Sequence, residues 1–209
     1  MSNTARTNIL NKIKMALVQP TPLPFPEAEN KEFPFQPLEQ DLVVEFAEHF
    51  TGLLGKFVFC VNKDELVEQF MKLCYQNQWT KIYCTENDLI VGLGLNKLHE
   101  DIESCEAAIT SCEFLVARTG SMLLSSTSNN RIPSVYAPIH VCVAYTSQLV
   151  YDIKDALLSA KDKYPNNFPS LISLATGPSR TADIEKTLVV GVHGPKEVYC
   201  FLVDDSKIV

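Results

Sequence analysis

No stretch of this chain approaches the roughly 18 consecutive apolar residues of a bilayer-spanning helix, so nothing in it reads as a membrane span. No run of lysine or arginine interrupts a formal net charge of −7. Such a surface repels phosphate backbones and anionic lipid, which excludes nucleic-acid binding as an expected function. Neither GxGxxG nor a P-loop occurs, so dinucleotide and ATP binding have no motif to rest on. No GxSxG elbow occurs and no cysteine stands beside a histidine, so no nucleophile arrives with its base. The seven cysteines form no CxxC pair, and their number is odd. Iron–sulfur and structural zinc sites use closely paired cysteines, so no metal centre or other cofactor is expected within this chain. Most of the cysteines sit inside apolar runs, where cysteine serves as a small core residue.

What is present reads as a globular protein. Hydrophobic residues make up 46% and charged residues 21% of 209 residues, enough to bury one full core. The N-terminal stretch has basic residues, but its apolar positions are spaced for a helix rather than fused into a signal-peptide core, so a cytoplasmic protein is expected. Ile9, Leu10, Ile13, Ala16 and Leu17 share one helical face. Residues 20–37 then hold six of the twelve prolines and read as an extended tether. Residues 1–37 are thus expected to form an N-terminal helix and proline-rich arm for capturing a partner or a second copy of the chain. Packing of the helix on its own domain is the alternative.

Residues 38–209 read as one α/β domain. Leu42, Val43, Phe46 and Phe50 mark a helical face, and Asn62 with Glu65 a capping-box-like start of another. Apolar strand-length runs occur at 56–61, 81–85, 113–117, 121–125, 139–145, 171–176, 187–192 and 198–203, with weaker helical patterning at 87–99 and a helix opened by Asp152. Strands apolar on both faces and alternating with helices predict a mainly parallel sheet with helices on both faces. Antiparallel edges are expected towards the C-terminus, where strand outweighs helix.

Three loops are expected at carboxyl ends of strands, where open α/β sheets bind ligands. In the first, Gly177 permits a sharp turn and Pro178 stiffens it. Ser179, Thr181 and the free amides of that loop can hold an anion, and Arg180 offers a fork suited to carboxylate or phosphate. Thr181 can also cap a short helix with Asp183 in its first turn. From spacing alone the same loop is equally a tight connection with an exposed arginine. In the second loop, His193 between Gly191 and Gly194 is suited to proton transfer, although the Gly-Pro pair also fits a plain hairpin turn. In the third, Thr119, Gly120 and Ser121, with Arg131 further on, can offer hydrogen bonds to an anion, or simply form a polar loop. His140, inside a strand pattern, reads as a core residue or as one that supports a site from behind.

The run TGPSRTADIEKTLVVGVHGPKEVYCFLV resembles the C-terminal signature of the lactate-utilization protein C family, whose shared module is the LUD domain. The opening helix with its proline break, the ARTGS segment and RIPSVYAPIHVCVAYTSQLV are similar to that family as well. The resemblance implies a fold like that of glucosamine-phosphate deaminase, ribose-phosphate isomerase and the coenzyme A transferases. It also implies participation in oxidising L-lactate to pyruvate with two iron–sulfur partner proteins, this chain being the member without clusters. Gly177, Ser179, Arg180, Thr181 and Asp183, with Thr119, Gly120, Ser121 and Arg131, are then the expected substrate-binding residues, and His193 the expected catalytic one. Two other functions fit the same residues: a non-catalytic assembly or regulatory factor for that system, and an independent isomerase or transferase acting on a sugar phosphate.

Overall fold

The computed structural model of the protein describes residues 3–18, 40–127, 131–181 and 189–206. The chain divides into two compact units, Met1–Pro37 and Leu38–Val209. In the first, α1 (Asn3–Leu17) is the helix that the apolar spacing predicts, while the proline-rich segment lies outside the described residues.

The second unit opens with α2 (Leu42–Gly52), whose N-cap Asp41 accepts a 2.8 Å hydrogen bond from the Val43 amide. Next come β1 (Lys56–Cys60), α3 (Lys63–Asn77), β2 (Ile82–Tyr83), α4 (Asn87–Gly92) and β3 (Ala107–Thr110). Asn62 caps α3 by accepting from the Glu65 amide at 2.9 Å, and the Glu65 carboxylate reaches back to the Val61 amide at 2.8 Å. This is the reciprocal arrangement that the Asn/Glu spacing predicts. Then follow β4 (Phe114–Val116), β5 (Ser121–Ser125), α5 (Arg131–Tyr136), β6 (Ile139–Tyr145), β7 (Leu149–Val150) and α6 (Ile153–Lys163). The unit ends with β8 (Ile172–Ala175), β9 (Arg180–Thr181), β10 (Val189–Val190) and β11 (Glu197–Val203).

Five strands form a wholly parallel sheet in the order β1-β11-β6-β3-β2. Its period-two alternation divides the core in two. Tyr199, Phe201, Val203, Val141 and Val143 face a cluster with Leu66 and Phe70 of α3 and Leu89 of α4. Val198, Cys200, Leu202, Cys142 and Ala144 face the other side, against Phe46 and Phe50 of α2 and Leu115, Met122 and Leu124. Helices therefore lie on both faces, but on the second face α2 shares the covering with a further sheet. That sheet, in the order β7-β4-β5-β8, pairs β4 with β5 and β5 with β8 antiparallel. The antiparallel strands expected at the margins of one sheet thus form a separate layer, together with the short β9-β10 ladder. Phe46, Phe50, Phe70 and Phe201 are at most 1% exposed, and each contributes on the order of 1.5–3 kcal/mol by burial.

Candidate functional site

The loop after β8 is shaped by glycine. Gly177 has φ +67°, a backbone conformation that side-chain-bearing residues rarely adopt. A Cβ there would lie 2.4 Å from the Leu53 carbonyl oxygen just beyond α2. Ser179 is then fixed by two backbone hydrogen bonds: its amide donates to the Pro195 carbonyl at 2.9 Å, and its carbonyl accepts from the Gly191 amide at 2.9 Å. These bonds draw the 177–179 turn against the 191–195 turn, so two of the loops singled out by sequence meet. Gly194 completes the approach, since a Cβ there would stand 2.8 Å from the Ser179 Cβ.

Between these turns lies a cavity of about 290 Å³. Ser173–Ser179 line it along β8 and its turn, His193–Pro195 line the facing turn, and Ser134 and Val135 of α5 and Leu124 of β5 line it further. His140 of β6 and Val198 of β11 form its buried part, at 0% and 1% exposure. Val135, Leu174 and His193 are exposed and mark its mouth. The lining contains no Asp, Glu, Lys or Arg among the described residues.

His140 is the chemically conspicuous member. Its Nε2 makes a 2.8 Å hydrogen bond with the Thr110 hydroxyl of the neighbouring strand β3. Its Nδ1, equally buried, has no hydrogen-bond partner among the described residues. An orphaned polar atom of this kind costs about 1–3 kcal/mol and calls for an explanation. Burial pushes the imidazole down to about 4, so the ring is neutral across the physiological range. The sequence reading of His140 as a core residue holds for its exposure but misses that it walls the cavity. A histidine second from the start of an apolar strand, shortly after the RIPS run, was the available signal.

The other expected site residues are distributed as follows. Gly177 and Ser179 line the cavity. The Ser179 amide, counted above among the free ones, is committed to Pro195. Arg180 and Thr181 pair with Val190 and Val189 in the β9-β10 ladder, outside the lining, and Arg180 is exposed. Thr181 is therefore a strand residue at this point; Asp183 lies outside the described residues. Arg131 begins α5, but its side chain lies outside what is described.

The ARTGS segment also stands apart from the lining. Ser121 Oγ bonds Thr119 Oγ1 at 2.8 Å and Thr176 Oγ1 at 2.7 Å, tying this turn to the foot of the 177–179 turn. Gly120, at φ +58°, lets the turn pass under α2, where a Cβ would come within 2.5 Å of the Phe50 amide nitrogen. Arg118 bonds Asp152, the N-cap of α6. These residues brace the site without lining it.

Each of the three loops follows the carboxyl end of a strand, as expected, but the cavity does not lie at the carboxyl edge of the main sheet. His140 and Val198 are second in their strands, so the cavity abuts the amino ends of β6 and β11. The strands leading into the three loops, β4, β8 and β10, belong to the other sheets. The carboxyl edge carries a different, larger cavity of about 700 Å³, lined by Lys63, Glu86, Ser111 and Tyr145 among others. There Glu86 already accepts from the Ser111 amide at 2.8 Å and from its hydroxyl at 2.5 Å. The smaller cavity is the better candidate, because both ends of the distinctive run, 176–179 and 193–195, line it, and a buried nitrogen of its wall residue His140 lacks a partner among the described residues. Among the described residues no group of three or more His, Cys, Asp or Glu is placed to hold a metal, and all seven cysteines are free thiols. No described helix is long and apolar enough to cross a membrane.

Comparison with known proteins agrees with the resemblance in sequence. The family model of the LUD domain matches residues 91–203. Lactate utilization protein C of Bacillus subtilis is 33% identical over 132 residues, covering 60% of this chain and 55% of that protein. Lactate utilization protein C 1 of Bacillus mycoides is 29% identical over 151 residues, covering 69% and 62%. An uncharacterized protein of Neisseria meningitidis is 35% identical over 100 residues, covering 47% and 42%. The chain thus spans about half the length of the curated relatives it matches. Among solved structures, a DUF162 family protein from Deinococcus radiodurans superposes with a TM-score of 0.59 at 16% identity, over 78% of this chain and 96% of that one, a likeness of fold.

Proposed function

Because this chain belongs to the LUD domain family, we propose that it serves L-lactate utilization as a cluster-free subunit, binding a small organic acid between the 177–179 and 193–195 turns. Its partners in this reading are iron–sulfur proteins, which take the two electrons of lactate oxidation. The Bacillus relatives, both lactate utilization proteins by name, support the pathway. The single observation that carries the site is the cavity lined by residues 176–179 and 193–195 of the family-like run and free of charged side chains among the described residues.

The chemistry of that lining narrows the ligand. Among the described residues the wall holds no carboxylate, so an anion meets no like-charge repulsion from them. Nor do they include a lysine or arginine, so a phosphate dianion finds little compensation from them for its lost hydration. A small monocarboxylate with one further polar group suits such a space, its apolar part against Val198 and Leu124 and its oxygens towards Ser179 and His193. Arg180, one residue beyond the lining, adds attraction from the flank, and His193 at the mouth is the group placed to exchange a proton with solvent. The same lining weighs against a sugar-phosphate isomerase or transferase. A non-catalytic assembly or regulatory role remains the second reading, supported by Val135 and Leu174, which stand exposed at the mouth where a partner would cover them.

Calorimetry decides between them. L-Lactate and pyruvate are expected to bind the full chain more tightly than inorganic phosphate does. Ser179→Ala is expected to weaken L-lactate binding by about 0.5–1.5 kcal/mol, and Arg180→Ala, exposed on the flank, by roughly 0.2–1 kcal/mol. Unchanged affinity in Arg180→Ala alone removes that residue from the site. Tighter binding of phosphate than of either acid overturns the organic-acid reading.

A further inference from the structure

The orphaned nitrogen of His140 extends this reading of the cavity and rests on it. We propose that His140 is a ligand-binding residue whose Nδ1 hydrogen-bonds the oxygen on C2 of the bound acid, with Thr110 as the positioning residue that fixes the ring through Nε2.

Three observations meet at this residue. His140 is fully buried yet forms part of the cavity wall. Its Nε2 is taken by the Thr110 hydroxyl at 2.8 Å, so the ring cannot turn without breaking a buried hydrogen bond. Its Nδ1 is the one buried side-chain nitrogen or oxygen without a partner among the described residues. A structural histidine in a strand interior would satisfy both nitrogens or be replaced by an apolar side chain. One nitrogen fixed and the other buried at the cavity wall without a partner among the described residues is instead the arrangement of a group that a ligand completes, as when a second hydrogen bond orients a functional imidazole.

The pair also suits two oxidation states of one ligand. A threonine hydroxyl can donate or accept, so either neutral tautomer of His140 satisfies Nε2. When Nε2–H donates to Thr110, the unpartnered Nδ1 is an acceptor and takes a hydrogen bond from the hydroxyl of a 2-hydroxy acid. When the Thr110 hydroxyl donates to Nε2, Nδ1–H is a donor and meets the carbonyl oxygen of a 2-oxo acid. The exchange alters no net charge, which matters where a charged imidazole is held off by burial. An acid lacking an oxygen on C2 leaves Nδ1 orphaned, and the site discriminates against it for the same reason.

The experiment uses the full chain with histidine nitrogens labelled, titrated with L-lactate, pyruvate and propionate while Nδ1 of His140 and the Ser179 and Gly194 amides are followed by NMR. L-Lactate and pyruvate are expected to shift Nδ1 in opposite senses, towards its unprotonated and protonated forms, and to bind about tenfold or more tightly than propionate. His140→Phe is expected to bring the L-lactate and propionate affinities together. Thr110→Val is expected to reduce the preference and Thr110→Ser to keep it. The wild-type titration carries the test if these variants fold poorly. L-Lactate shifting the two amides but not Nδ1 overturns the role of His140 and leaves the organic-acid reading standing. Failure of L-lactate and pyruvate to bind at all overturns both.

Discussion

Placing alanine at Gly177 tests how the turn beside the cavity is built. The backbone there has φ +67°, where an L side chain costs about 1–2 kcal/mol. The added Cβ would also sit 2.4 Å from the Leu53 carbonyl oxygen, whereas ordinary contact begins at 3.4 Å, so turn or helix end must retreat by about 1 Å. Overpacking against backbone costs roughly a further 1–3 kcal/mol. The expected total is about 2–5 kcal/mol, or roughly 4–20 °C in melting temperature for a domain of this size. Thermal unfolding followed by circular dichroism measures it. Gly52→Ala is the control: nothing lies within 4 Å of its added Cβ, and its φ is not positive. That substitution should leave stability unchanged or raise it by up to about 1 kcal/mol. A Gly177→Ala protein melting within a degree of wild type would refute the claim that glycine is required there.

Acid should expose the buried imidazole. An unfolded His140 takes up its proton near the ordinary value of 6.5, the folded one only near 4, so its contribution is complete above pH 6.5 and declines as pH falls towards 4. Between pH 6.5 and 5 this is worth about 2 kcal/mol at 1.36 kcal/mol per unit; unfolding free energies of wild type and His140→Phe from urea titrations should diverge by that amount as pH falls, and parallel pH curves would contradict it. Glu113 is 5% exposed; burial works to raise its carboxyl, but bonds from Lys163 at 2.7 Å, Ser125 at 2.5 Å and Tyr164 at 3.0 Å outweigh it and hold it below the usual range. Glu113→Gln should therefore cost about 2–3 kcal/mol of unfolding free energy at pH 7, because the half-exposed Lys163 can rehydrate; a loss under 0.5 kcal/mol would refute the network. Deleting residues 1–37, a compact unit of their own, should leave the melting temperature of the rest nearly unchanged, and unfolding of the truncated chain would show that the arm belongs to the core.

The sequence made most of the parallel sheet legible, because its strands are long apolar runs. The failures have physical causes. Strand β3, Ala-Ala-Ile-Thr, lies third of four strands inward from β1 yet escapes the reading, since two alanines and a threonine carry little hydrophobic or strand signal even when fully buried. Helix α5 escapes as well, because Pro133 within a polar stretch reads as a loop; proline is tolerated in a first turn, where its missing amide has no partner to lose. Missing β3 hid Thr110, and with it the partner that sets His140. Residues 177–179 and 193–195 were correctly grouped as turns, but their meeting depends on the Ser179–Pro195 and Gly191–Ser179 backbone bonds, which no spacing reveals. That the three loops follow strands outside the main sheet was hidden, because apolar runs do not state which sheet a strand joins. The exposed pairing of Arg180 in a two-residue ladder was equally invisible.

The most direct test of the central claim is a crystal structure of the full chain grown with L-lactate. The account predicts one lactate in the cavity between Ser179 and His193, its C2 hydroxyl within hydrogen-bonding distance of His140 Nδ1. Lactate found instead beside Lys63 and Ser111 at the carboxyl edge, with the first cavity empty, would contradict it.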